Sequence, residues 1–113
     1  MILLTLRRTG LPVGVWRKPD LTWRSWAYST ACEHNLRDLR GATITFQPLA
    51  EHPRNIFHAP NYWATVELVI DGLIGAQLIT DRKHIAGIML HPSRIAGVNG
   101  LEVTVSLPDA PPS

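Results

Sequence analysis

Three of the four tryptophans, Trp16, Trp23 and Trp26, fall within eleven residues, interleaved with the basic side chains Arg17, Lys18 and Arg24. Tryptophan and arginine dominate protein-binding hot spots because each couples a large buriable area to a polar handle. Rings among cations also suit single-stranded nucleic acid, where bases stack and the cations follow the phosphates. Packing inside the chain's own core is the third reading of the same residues. Helical phase decides among them at this stage. A step of about 100° per residue puts Trp23, Trp26, Ala27, Thr30, His34 and Arg37 on one face, opposite a stripe of Leu21, Tyr28, Cys32, Leu36 and Leu39. The uncharged stripe reads as the core face. The tryptophans, sharing their face with His34 and Arg37, then read as an interface, with Trp16, Arg17, Trp23, Arg24, Trp26, His34 and Arg37 as its contact residues.

A second group is His52, Arg54 and His58, inside PLAEHPRNIFHAPN. Two imidazoles and a guanidinium could supply acid, base and phosphate clamp for metal-free phosphodiester cleavage. Their spacing matches no motif, and loop histidines are mostly solvated. The catalytic reading is therefore an alternative, and the chain leans away from being an enzyme. Nucleotide, zinc-protease and serine-hydrolase motifs are absent. A single cysteine excludes an internal disulfide and a multi-thiolate zinc site, so neither metal nor cofactor is expected.

The elements that must position these groups follow from pattern. Ile2–Arg8 alternates as a strand, and Val13–Trp16 is a short second one. Leu21–Leu39 is a helix, with Asp20 as N-cap and Gly41 as the stop. Ala42–Gln47 alternates, with Ile44 and Phe46 inward. Pro48–Asn61 is a long loop. Asp71-Gly72, between runs rich in Val and Ile, reads as the turn of a hairpin over Ala64–Thr80, both of whose faces are largely apolar. A helix is the rival reading there. His84–Leu90 is a further strand, and Asn99-Gly100 joins Arg94–Val98 to the strictly alternating Leu101–Leu107.

The chain of 113 residues fits one α+β domain over residues 1–107, with a flexible, proline-rich tail at 108–113. One helix packs on a mainly antiparallel sheet of six to seven strands, as a sandwich or a partly closed barrel. Net charge is +2, but residues 1–60 carry +4 and residues 61–113 carry −2. The favoured function is a non-enzymatic protein-binding or assembly module, with a protein partner or a second copy of itself. Its size suits a small accessory or phage-type protein. The alternatives are nucleic-acid binding through the basic N-terminal half and a small nuclease built on His52 and His58. With no long apolar run and no export signal, the expectation is a cytoplasmic protein without a membrane segment.

Overall fold

The computed structural model describes residues 1–13, 20–55 and 62–108. In chain order they form β1 (Ile2–Thr9), α1 (Thr22–Cys32), β2 (Ala42–Ala50), α2 (Trp63–Gly75), β3 (Ile85–Leu90), β4 (Arg94–Ile95) and β5 (Gly100–Ser106). Short 3₁₀ turns sit at Pro53–Asn55 and Arg82–His84. The sheet is mixed and open, in the order β1-β5-β2-β3, with β4 also on β2. β5 runs antiparallel to both β1 and β2, whereas β3 and β4 run parallel to β2.

Alternation builds the sheet. Leu4 and Leu6 of β1, Ile44 and Phe46 of β2, and Leu101, Val103 and Val105 of β5 all point to one buried face. Their alternates, Thr5 and Arg7, Thr43, Thr45 and Gln47, and Glu102, Thr104 and Ser106, form a polar face that carries no helix layer. Thr5, Thr104 and Thr45 lie side by side in one row across three strands, and Arg7, Glu102 and Gln47 in the next. Both helices cover the apolar face, giving two layers.

Several expectations about the sheet fail. The described residues form five strands and two helices, not six to seven strands and one helix, and the sheet is open and mixed, antiparallel at β1–β5–β2 and parallel where β3 and β4 join β2, in place of the expected sandwich or partly closed barrel. Asn99-Gly100 does not close a hairpin: β4 holds two residues and pairs with β2, while β5 inserts between β1 and β2. Asn99 instead ties strand ends together, its carbonyl accepting from Gly10 N–H and its side chain from Glu51 N–H. Val13 is buried but is not in a strand, and Gly14–Trp16 lie outside the described residues. Pro48–Ala50, expected in the loop, prolong β2.

The largest correction concerns Ala64–Thr80, which contains most of a helix, not a hairpin. Thr65, Val66, Val69, Ile70, Gly72, Leu73 and Ala76 are buried, at helical spacing, while Ala64, Asp71 and Gly75 stay exposed. The β-branched residues lower helix propensity, but their burial between α1 and the sheet outweighs a few tenths of a kcal/mol each. Burial on two sides also explains why no polar face was visible in the sequence. Gly72 marks the helix crossing: a Cβ there would sit 2.5 Å from the Arg24 carbonyl oxygen and 2.8 Å from the Ala27 Cβ. Gly72 is thus a close-approach glycine in a helix, not the second residue of a turn.

The expected helix over 21–39 ends at Cys32. Residues beyond it leave the helical path because their backbone pairs elsewhere. Asp38 N–H donates to the Gln77 carbonyl and Leu39 N–H to that of Leu78. Leu36 and Leu39 still pack against the core, from this irregular segment. The N-cap position falls to Leu21, not to Asp20 as expected; Asp20 sits one residue earlier, its carboxylate accepting from Thr22 N–H, and hydrogen bonds from Thr22 hold its pKa below the ordinary value. At the far end of α2, buried Tyr62 donates its hydroxyl to the His91 carbonyl at 2.6 Å, and burial pushes its phenol up to about 12.

The crossing predicts a contrast between the two glycines of α2. Gly72→Val drives side-chain atoms into the α1 backbone and should cost on the order of 3 kcal/mol. Gly75→Ala meets only the Tyr28 ring, at 3.4 Å; it should be neutral or gain up to about 1 kcal/mol through helix propensity. Urea denaturation of both variants checks this. Equal stability of Gly72→Val and the parent protein would contradict the crossing.

Candidate functional site

Helix α1 turns its tryptophans inward. Trp23, Ala27 and Ala31, spaced by four, are its buried residues. Trp23 is fully buried, donates its indole N–H to the Pro12 carbonyl at 3.2 Å and meets Trp26 edge-to-face, with centroids 5.6 Å apart. Trp26 is half-buried against the same core. The expectation that these two indoles are exposed contact residues is overturned for Trp23, and Trp26 is a packing residue in the same cluster. The opposite stripe is the outer one: Leu21 is 58% and Tyr28 49% exposed, and Cys32 is exposed. The two faces of α1 are those expected from helical phase, but the buried one is the tryptophan face. The core side is the one with small residues, because the α2 backbone comes too close there for leucines.

The other expected contact residues scatter. Trp16 and Arg17 lie outside the described residues. His34 is half-buried just past α1. Arg37 donates from its guanidinium to the Ala76 carbonyl at 3.0 Å, neutralising the carbonyl end of α2. Its role is thereby structural. Arg24 alone of the group is exposed on α1, and it borders a groove.

That groove is a shallow depression on the described surface. It lies between the outer flanks of α1 and α2 and is lined by Arg24, Ser25, Tyr28 and Ser29 from one helix and Asp71, Gly72 and Gly75 from the other. Its volume is about 260 Å³, open to solvent. Gly72 and Gly75 form its α2 side, and the Tyr28 ring leans over Gly75. Asp71 also accepts from Arg82, which bridges it to Glu67, so the acidic rim is held in place. Tyr28, Asp71 and the glycines were missed by sequence reasoning. The signal that could have found them is the pairing of Ala27 and Ala31 with Gly72 and Gly75, small residues at helical spacing on two segments.

Two polar clusters carry residue types capable of acid–base chemistry. His52 is exposed, with its Nε2 3.7 Å from the Glu51 carboxylate, and Arg54 is exposed in the 3₁₀ turn; His58 lies outside the described residues. The second cluster joins Asp38, Thr80 and His84. Thr80 donates its hydroxyl to Asp38 at 2.9 Å, and His84 Nδ1 lies 3.2 Å from the same oxygen. The single hydroxyl proton is committed to the carboxylate, so Nδ1 must donate and cannot act as base for Thr80. The bonds from Thr80 and Arg40 hold the Asp38 pKa below its ordinary value and anchor a residue whose φ is 51°. This cluster is a loop clasp. Among the described residues, no three His, Cys, Asp or Glu side chains gather where they could hold a metal. No helix of the described residues is long and apolar enough to cross a membrane.

No protein-family model matches the chain, nor does any curated protein sequence.

The reversed helix sorts two aromatic truncations by cost. Trp23→Ala should lose about 3–5 kcal/mol, as a buried indole does, whereas Tyr28→Ala should lose less than about 1 kcal/mol. Thermal melts followed by circular dichroism measure both. A Trp23→Ala protein as stable as the parent would restore the exposed-tryptophan reading.

Proposed function

We propose that this chain is a non-enzymatic protein-binding module and that its partner docks along the groove between α1 and α2. The observation that carries the reading is the exposure of Tyr28 beside Arg24 at a depression that Gly72 and Gly75 line. These two residue types are the ones most enriched among binding hot spots, and here they flank a depression instead of filling a core. The groove's size favours a protein segment over a small molecule. At about 260 Å³ it lies below the roughly 300–1,000 Å³ of sites that enclose drug-sized ligands, and it is open. It suits one or two side chains of a partner. Leu21 adds exposed apolar surface on the same helix, and Arg24 and Asp71 supply opposite charges at the rim.

Five of the described arginines are already engaged, which favours this reading over a phosphate-tracking one. Arg94 pairs with Glu102 at 3.0 Å, Arg7 lies 3.8 Å from the same carboxylate, and Arg40 lies 3.5 Å from Asp38. Arg82 bridges Glu67 and Asp71, and Arg37 caps α2. Cations engaged one by one with carboxylates form a weaker phosphate track than a continuous basic stripe.

Selection from a displayed random-peptide library tests the proposal. The parent protein should enrich peptides that bind it, and those peptides should lose at least tenfold in affinity for the Arg24→Glu/Tyr28→Ala double variant. Peptides that bind both proteins equally, or no enrichment at all, would overturn it.

A further inference from the structure

The two walls of the α1–α2 groove are unequally committed. On the α2 wall, Asp71 already accepts from Arg82, which also bonds Glu67. On the α1 wall, Arg24, Ser25, Tyr28 and Ser29 all carry polar hydrogens. Among the described residues, none of these four side chains makes a hydrogen bond or an ion pair. Arg24 and Tyr28 stand one helical turn apart, and Ser25 and Ser29 stand one turn apart beside them. Arg24 is exposed, so its charge can be met only from outside the chain.

A wall with a surplus of donors and one uncommitted positive charge is complementary to a negatively charged acceptor. We infer that the partner segment taken by this groove is acidic, with one Asp or Glu carboxylate seated on Arg24 and an apolar neighbour against the Tyr28 ring. The inference rests on the protein-binding reading above and gives the partner its chemistry. The guanidinium fork matches a carboxylate through two parallel N–H bonds. The hydroxyls of Ser25 and Ser29 lie on the same wall and can donate to the same group. Tyr28 is 49% exposed, which leaves ring surface for the apolar neighbour.

Two other occupants fit less well. A phosphate group carries about −1.5 to −2 charge and is usually met by several arginines. Here it would find one guanidinium, and the facing Asp71 would repel it more strongly than a single charge. A basic side chain would find Asp71 already bonded to Arg82 and would lie across from Arg24. The long-range field agrees with the local donors. Residues 1–60, which include α1, carry a net charge of +4, and such a field draws an acidic partner.

Peptides enriched by the parent protein from a random library carry the test. Each is compared by fluorescence anisotropy, at low ionic strength, with counterparts in which one acidic residue is changed, Glu→Gln or Asp→Asn. One such change should weaken binding to the parent by about tenfold. The same change should cost nothing further against Arg24→Gln, a variant that should keep the parent's circular dichroism. Asp71→Asn removes the facing negative charge and should tighten the acidic peptides by about two- to threefold. Enriched peptides that are indifferent to the loss of their acidic residues would overturn this inference and leave the groove reading standing. So would acidic peptides that bind more weakly to an Asp71→Asn protein of unchanged circular dichroism. A phosphoserine at the acidic position that binds more than about tenfold tighter would overturn it in favour of a phosphopeptide. No enrichment from the library would remove both readings.

Discussion

The fold depends on how closely α1 and α2 approach at Gly72. Helices packed through ordinary side chains keep their axes 8–10 Å apart. Here the Gly72 backbone lies directly on Ala27 and the Arg24 carbonyl, so neither helix has room for a larger residue at the contact. Trp23 fills the space on the same side of α1. The two helices then fasten the segment that precedes them, Trp23 donating to the Pro12 carbonyl and Thr65 to that of Val13. Beyond Gly75 the chain is held by Arg37 on Ala76 and by the backbone bonds of Asp38 and Leu39. No buried side-chain polar atom among the described residues lacks a partner. A layer held so tightly can cover one sheet face only, which leaves the Thr-, Gln- and Glu-bearing face to water.

The strands were legible in the sequence wherever one face is wet. β1, β2 and β5 alternate because their outward residues meet solvent, and their inward sets, including Ile44, Phe46 and Val103, are the ones buried. α2 was not legible, because it is buried against both α1 and the sheet and shows no continuous polar stripe. Its Val and Ile residues and its glycines each favour strand or turn when judged locally, and only the tertiary contact at Gly72 reverses that judgement. The tryptophan face failed for a related reason. Charge content points to the wrong core side of α1, because close packing selects small residues, and Ala27 and Ala31 are the informative ones. Arg37, expected at an interface, lies outside the helix and caps another.

Turning α1 over changes what its surface offers. The bulky aromatic pair becomes scaffold, and Tyr28 with Arg24 is left facing outward beside a depression that Gly72 and Gly75 line. Gly72, which allows the helices to meet, therefore also lines the groove.

The account stands most directly on the conformation of residues 63–75. Nuclear Overhauser spectroscopy of the labelled protein reports it without any substitution. The account predicts a strong cross-peak between the Gly72 α-protons and the Ala27 methyl group, together with sequential amide–amide contacts through Asp71 and Gly72. Cross-strand contacts between Val66 and Gln77, with no signal joining Gly72 to Ala27, would contradict it.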